Sequence, residues 1–248
     1  VKGEINFNKV SLNFKETNIK ALNEVSFNIK KGESIALMGD VGSGKSTLLE
    51  LICRVYDPTN GEIFLDGNDI KKINLNELRA SIGYVPQSTF LFSDSIINNV
   101  KFGKLDASLD EVKKSIKIAC LTKDVESFKD KYNTLLGERG VNLSGGQKQR
   151  LSIARAIIKK PEILILDDSL SAVDTETEEK ILSGLNDVTK NMTVIIATHR
   201  VSSAKTCDKI LVLKNGSVLE FGSHESLITK NGYYSTSYRK QLSEKEII

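Results

Sequence analysis

Cysteine is scarce in this chain of 248 residues, and what there is follows no pattern. Cys53, Cys120 and Cys207 are odd in number, far apart and outside any C-x-x-C pair. That argues against a disulfide framework or a thiolate metal set, and predicts three ordinary, largely buried thiols of a reducing compartment. Long apolar runs are also missing. No stretch approaches the roughly 18–20 apolar residues that span a bilayer, and no signal-peptide pattern opens the sequence. The segment is therefore expected to be soluble and cytosolic, with no membrane insertion of its own, which still allows it to be a piece of a membrane-bound assembly. Nor is one charge in excess: 35 Lys and Arg face 32 Asp and Glu, a net +3. The basic residues are scattered, so the chain carries no footprint for nucleic acid and no acidic tail. Internal repeats, low-complexity tracts and interdomain linkers are absent too. The length suits one large domain or two lobes around a sizeable core.

What the chain does have is the stretch Gly39 to Thr47, GDVGSGKST. It fits G-x-x-x-x-G-K-[ST], with Gly39, Gly44, Lys45 and Ser46 at the defining places and Asp40, Val41, Gly42, Ser43 and Thr47 completing the loop. The run before it, ESIALM, is of strand type, and LLELICRVY after it reads as an amphipathic helix. A strand, a glycine-rich loop and a helix start together make an anion site, because successive backbone N–H groups and the helix N-terminus converge on phosphate oxygens. Lys45 would reach the β- and γ-phosphates of a nucleotide, and the Ser46 hydroxyl would bind Mg²⁺. Taken without its context, the same stretch could be a tight glycine turn with a solvated lysine.

Along the chain, residues 4–14 alternate and read as strands with a polar turn at Asn8-Lys9, and residues 21–29 as another strand. Asp66-Gly67 marks a hairpin corner, residues 74–82 a short helix capped near Asn74, and residues 83–87 a strand ending at Pro86. From Ser88 to Lys160 the pattern turns helical. Leu109, Val112, Ile116, Ala119 and Cys120 form one helical face, and a second helix over 147–160 stops at Pro161. EILILDD, residues 162–168, is a compact apolar strand of the kind buried in parallel sheets. Strands and helices then alternate to a last helix from His224. Such alternation around a helical insert predicts an α/β core with a helical subdomain.

Asp167 ends that apolar strand. Ligands of doubly wound sheets sit at strand carboxyl ends, so Asp167 is a candidate Mg²⁺ ligand alongside Ser46, with a helix N-cap as the plainer alternative. Leu143 to Gln147, LSGGQ, is a second glycine-containing loop before a helix. Ser144, Gly145, Gly146 and Gln147 are therefore either a second phosphate-binding helix start or a flexible cap.

LSGGQ between a phosphate loop and ILILDD resembles the signature of the ABC ATPase family, and the resemblance covers essentially the whole chain in the family's order. It implies ATP and Mg²⁺ as ligands and a P-loop NTPase core with a mixed sheet, an antiparallel β subdomain and an inserted α-helical subdomain. Residues 1–248 would form one ABC ATPase domain, with 1–87 and 161–248 as core and β subdomain and 88–160 as the helical subdomain. Phe14 falls where the family stacks an aromatic on adenine, with Phe in place of the usual Tyr. Gln87 matches the glutamine loop that senses Mg²⁺ and faces the membrane domain. Residues 137–140 are similar to the cross-talk loop of exporters. Ser171 and Asp174, in SLSAVD, match the loop that signals between sites. His199 matches the switch histidine at the γ-phosphate, a role that a lone His after an apolar strand would not suggest by itself. His224 reads as structural. The family implies a second ATPase domain, facing this one head to tail with ATP between phosphate loop and signature. Residues 90–100 and the opening segment are similar to an exporter, which implies a transmembrane domain as a further partner and a place at the cytoplasmic face of a membrane, the cell membrane by expectation.

One position departs from the family. Where Glu polarises the attacking water, this chain has Asp168, which keeps the carboxylate and loses roughly 1.5 Å of reach. The expectation is a site that binds ATP and cleaves it slowly, as in the weak-site half of a heterodimer whose other subunit supplies the Glu. A homodimer for which Asp suffices, a soluble ABC ATPase without a transport role and a mainly regulatory ATP-binding subunit are the alternatives.

Overall fold

The short apolar runs that carry no alternation pair edge to edge, because a strand buried on both faces has nowhere to place polar side chains. The computed structural model describes residues 1–140, 142–188 and 192–246. In chain order the elements are β1 (Ile5–Phe14), β2 (Ile19–Ile29), β3 (Ser34–Met38), α1 (Lys45–Ile52), β4 (Asn60–Leu65), β5 (Asn68–Asp69), α2 (Leu75–Ala80) and β6 (Ile82–Val85). The helices α3 (Ile96–Lys101), α4 (Leu109–Ile118), α5 (Thr122–Ser127) and α6 (Gly145–Ile157) follow. Then come β7 (Ile163–Asp167), α7 (Thr175–Val188), β8 (Thr193–Ala197), α8 (Val201–Ala204), β9 (Lys209–Lys214), β10 (Ser217–Gly222), α9 (His224–Ile228) and α10 (Tyr233–Glu246).

Six strands make one sheet in the order β10-β9-β3-β8-β7-β6, and four make a second in the order β2-β1-β4-β5. All neighbours in the larger sheet run parallel except β10 against β9. The smaller sheet is wholly antiparallel. Side chains of the parallel strands alternate between two separate interiors. Leu164, Leu166, Val194 and Ile196 face the helices, while Ile163, Ile165, Ile195 and Ala197 face α1 and the antiparallel sheet. The helical insert and the β layer thus lie on opposite faces of one wall, as an α/β core with a mixed sheet requires.

Local chemistry sets the ends. Asn74 caps α2 by accepting from the backbone N–H of Asn76 and Glu77, and Ser108 with Glu111 closes a capping box at α4. Asp66 and Gly67 turn the β4–β5 corner at φ +53° and +77°, the left-handed pair that a two-residue hairpin needs. Two sequence expectations are corrected. Asn8-Lys9 makes no turn: β1 runs through, and Lys9 at φ +48° is a bulge that shifts its register between Phe7 and Val10. Leu109 leaves the apolar face of α4 and is exposed, and Cys120 lies beyond the helix end at φ +53°. A helix does begin at His224, and a second, α10, follows it beyond Asn231 at φ +51°. His224 begins α9, and its Nδ1 lies 2.7 Å from the Tyr234 hydroxyl, as a structural residue would.

The thiols form no disulfide. Burial pushes Cys53 and Cys207 up to about 12 and also raises Cys120, which is partly exposed. Because the thiolate is the reactive form, a thiol reagent at pH 8 should modify Cys120 first and reach Cys207 only on unfolding. Peptide mapping by mass spectrometry reads the order, and rapid labelling of Cys207 in native protein would contradict it.

Candidate functional site

Four adjacent strands, β3-β8-β7-β6, deliver their following loops to one edge. β3 leads into the loop 39–44, β8 into His199, β7 ends in Asp167 with Asp168 next, and β6 leads to Gln87. These loops converge on a cleft of about 450 Å³, closed on the other side by Phe14 and Ile19 from the antiparallel sheet. Phe14 sits edge-on to Tyr56 with centroids 5.2 Å apart, which fixes its ring.

The phosphate loop has the shape its glycines dictate. Gly39, Gly42 and Gly44 take φ of +141°, +78° and +104°. Gly44 precedes α1 and offers it no side-chain cap, so the first N–H groups of a helix whose opening residues line the cleft are left uncapped. Lys45 folds over the loop: its Nζ donates to Gly39 O at 2.7 Å and Asp40 O at 2.9 Å, and lies 3.4 Å from Ser43 Oγ. Burial lowers its pKa, opposed by the carboxylates of Asp168, Asp167 and Asp40. The surrounding acids thus offset part of what burial costs the ammonium.

Asp167 is buried, accepting from Ser46 Oγ at 3.3 Å and from the Tyr84 hydroxyl at 3.0 Å. Asp168 has φ +46°, and its N–H donates to Ala197 O on the neighbouring strand. One carboxylate oxygen accepts from Gln87 Nε2 at 3.2 Å, and the other lies 3.2 Å from His199 Nε2. Burial raises the Asp168 pKa, with His199 the largest opposing influence. Lysine, hydroxyl, two acids, amide and imidazole thus stand within a single reach. Among the described residues no group of three or more His, Cys, Asp or Glu could hold a metal alone. A divalent cation here would share Ser46 and Asp167 with phosphate oxygens, the usual habit of Mg²⁺. A cradle of uncapped N–H groups beside a hydroxyl and a buried carboxylate fits a nucleotide with that ion.

Of the residues expected from sequence, Phe14, Val41, Gly42, Gly44, Lys45, Ser46, Thr47, Gln87, Asp167, Asp168 and His199 line this cleft. Gly39, Asp40 and Ser43 shape the loop beneath Lys45. Ser144, Gly145, Gly146 and Gln147 do not line it. Ser144 and Gly145 are exposed at the start of α6, where Ser144 and Gln147 form a reciprocal capping box. The Gln147 amide also donates to Asp124 at 2.8 Å, so its side chain is engaged within its own chain. Ser171 donates to Asp168 O at 2.9 Å, and Asp174 accepts from the Thr177 N–H at the start of α7.

Sequence reading missed several supports. Tyr84 braces Asp167, and Tyr233 of α10 donates to Asp40 Oδ1 at 2.8 Å. Asn215 and Gly216 line the cleft from the β9–β10 turn, and the Gly216 N–H donates to Ser43 O. The Asn-Gly pair is a turn signal in sequence. Nothing local marks Tyr84 or Tyr233, whose roles depend on which strands and helices become neighbours.

A family model described as "ABC transporter" matches residues 22–171. The chain is 45% identical over 244 residues to ATP-binding cassette sub-family B member 6 of Xenopus tropicalis, covering 98% of this chain and 29% of that protein. It is 43% identical over 239 residues to the probable multidrug resistance ABC transporter ATP-binding/permease protein YheI of Bacillus subtilis, covering 96% of this chain and 41% of that one. A solved structure of a bacterial Atm1-family ABC exporter with ATP bound superposes with a TM-score of 0.94 at 38% identity, over 97% of this chain and 42% of that one. The chain therefore spans about 29% to 42% of the length of these relatives.

Proposed function

Because this chain belongs to the ABC transporter family, whose ATPase domain it matches over residues 22–171, we propose that it is the ATP-driven motor of an exporter, paired head to tail with a second ATPase domain. The observation that carries the reading is the convergence of Lys45, Ser46, Asp167, Asp168, Gln87 and His199 on one cleft. The solvent-facing Ser144–Gly146 helix start stands outside that cleft. A solvent-facing helix N-terminus suits the phosphates held by a facing subunit.

The chemistry follows from the side chains. The loop N–H groups and Lys45 bind the β- and γ-phosphates of ATP, and Phe14 offers a face to the base. Mg²⁺, held by Ser46, Asp167 and Gln87, would neutralise charge between the phosphates. Asp168 would orient the attacking water and take its proton, and His199 would hold the γ-phosphate. Asp168 is already bound by Gln87 and His199, so its short side chain has little freedom to advance on a water. A misplacement on the order of 1 Å costs about a hundredfold in rate.

We therefore assign slow hydrolysis to this site, with a Glu-bearing second subunit as the natural partner. Asp168→Glu should raise steady-state ATP turnover about tenfold or more while nucleotide affinity stays within a factor of two. An already fast wild-type enzyme that Asp168→Glu leaves unchanged would overturn the slow-site reading. Slow turnover that Asp168→Glu does not raise would favour a mainly regulatory ATP-binding subunit.

No described helix is long and apolar enough to cross a membrane, so translocation would need a membrane domain supplied from elsewhere. Phe90, Phe102, Leu105 and Leu135 are exposed around the segment that follows Gln87. Arg155 holds that segment by donating to Phe90 O and Asn99 O and by stacking near Phe92 and Phe102. That rigid apolar surface suits docking of a transmembrane partner at the cytoplasmic face of the cell membrane.

A further inference from the structure

His199 is followed by an arginine that the ATPase chemistry does not use. Its guanidinium nevertheless makes three bonds to the elements around it. Arg200 Nη1 donates to Val173 O at 2.8 Å and to Glu178 Oε2 at 2.5 Å, and Nη2 donates to Ser171 O at 2.9 Å. Glu178, in the first turn of α7, is 2% exposed, and its other oxygen accepts from the Ser203 hydroxyl of α8. A buried carboxylate is tolerated only with such partners.

These bonds close a ring around Asp168. The His199 imidazole touches the Asp168 carboxylate, the next side chain along grips the 169–174 loop, and Ser171 Oγ of that loop donates back to Asp168 O. The far side of the loop is fastened to α6. Gln149 Nε2 donates to Ser171 Oγ at 3.2 Å, and its Oε1 accepts from the Ala172 N–H at 3.0 Å. Gly146 lies so close to this loop that an added Cβ would sit 2.8 Å from Ala172 O. Tracing bonds outward from His199 therefore leads through Arg200 to the loop, and through the loop to the helix that Ser144 caps.

We propose that Arg200 is a positioning residue that makes the His199 segment, the 169–174 loop and the Ser144 helix start move as one body. A displacement at the γ-phosphate end of this chain's own site is thereby delivered to the surface that serves the opposite site. The inference rests on the ATPase reading above and names the residue that carries its coupling. Lysine cannot replace it, since an ammonium lacks the planar fork that reaches two carbonyls and a carboxylate together.

The test uses the intact natural chain that contains these residues. Arg200→Met alone strands a buried carboxylate, so the informative variant is the double substitution Glu178→Met with Arg200→Met, apolar on both sides. Three readouts are taken: turnover, affinity for a non-hydrolysable ATP analogue, and hydrogen exchange of the 169–174 and 198–201 amides with and without the analogue. We expect analogue affinity and KM within a factor of two of wild type and kcat lower by about tenfold, inside the range for coupling through packed networks. The 169–174 amides should no longer respond to analogue, while those of 198–201 still do. A folded double variant whose 169–174 loop responds like wild type overturns the proposal. If the double variant does not fold, Arg200→Lys decides. Loss of the loop response with KM retained supports the proposal, and wild-type behaviour overturns it. A wild-type chain that neither binds nor hydrolyses ATP overturns the underlying ATPase reading instead, which keeps the two failures apart.

Discussion

Lys45→Ala should leave the protein folded and lower ATP turnover by about 10²–10³-fold, the range for removing one preorganised charge donor from a transition state. Lys45 is part-buried against Gly39 O and Asp40 O, with three acids around it. Among the residues lining the cleft, Lys45 is the one cation that the phosphate loop contributes, since Lys20 belongs to β2. Truncation therefore removes the positive charge from the place where phosphate oxygens would gather and leaves Asp167 and Asp168 repelling them. Affinity should fall together with rate, so thermal unfolding supplies a second measurement. Nucleotide should raise the melting temperature of wild type through linkage, and the shift should vanish in Lys45→Ala. Retention of turnover within a factor of three would remove the phosphate-binding role from this loop.

Gly39→Ala should destabilise the fold itself by about 3–5 kcal/mol, combining backbone strain with overpacking. An added Cβ would lie 2.2 Å from the carbonyl oxygen of Leu213 and 2.7 Å from Ser43 Oγ, at a φ of +141° that L-residues avoid. β9 cannot retreat, because it is hydrogen-bonded to β3 on one side and β10 on the other. Relief can come only by moving the loop, which would also displace the carbonyls that hold Lys45. Gly42→Ala provides the control. Gly42 also has positive φ, +78°, but nothing lies within 4 Å of its added Cβ. Its cost should stay near 1 kcal/mol, that of left-handed backbone alone. Urea unfolding midpoints measure both, and equal costs for the two variants would show that contact with β9 is not what fixes the loop.

Much of this was readable from residues alone, for a physical reason. A phosphate loop is local: nine consecutive residues contain the glycines, the lysine and the hydroxyl, so spacing reveals it. The strand ending in Asp167 and the capping signals at Asn74 and Ser144 are equally local, and they appear where composition placed them. The Lys9 bulge is a different matter, because a bulge and a turn share the same polar residues and differ only in whether the partner strand continues. The pairing of β8 between β3 and β7 brings His199 to Asp168, and strand order is not written in any window of sequence. Tyr84, Tyr233 and Arg200 were invisible on the same grounds, since each acts on atoms at least 22 positions away along the chain.

The wall-like parallel sheet has a consequence for how the molecule can change. Ile165 and Leu166 are consecutive in the chain yet belong to separate interiors, one backed by α1 and the other by the helical insert. Losses at sites that share no packing neighbours add, whereas those at residues in contact are coupled. Substitutions in the compartment under the helical insert should therefore add to, and not couple with, those in the compartment around α1. One side of the wall can vary without repacking the other.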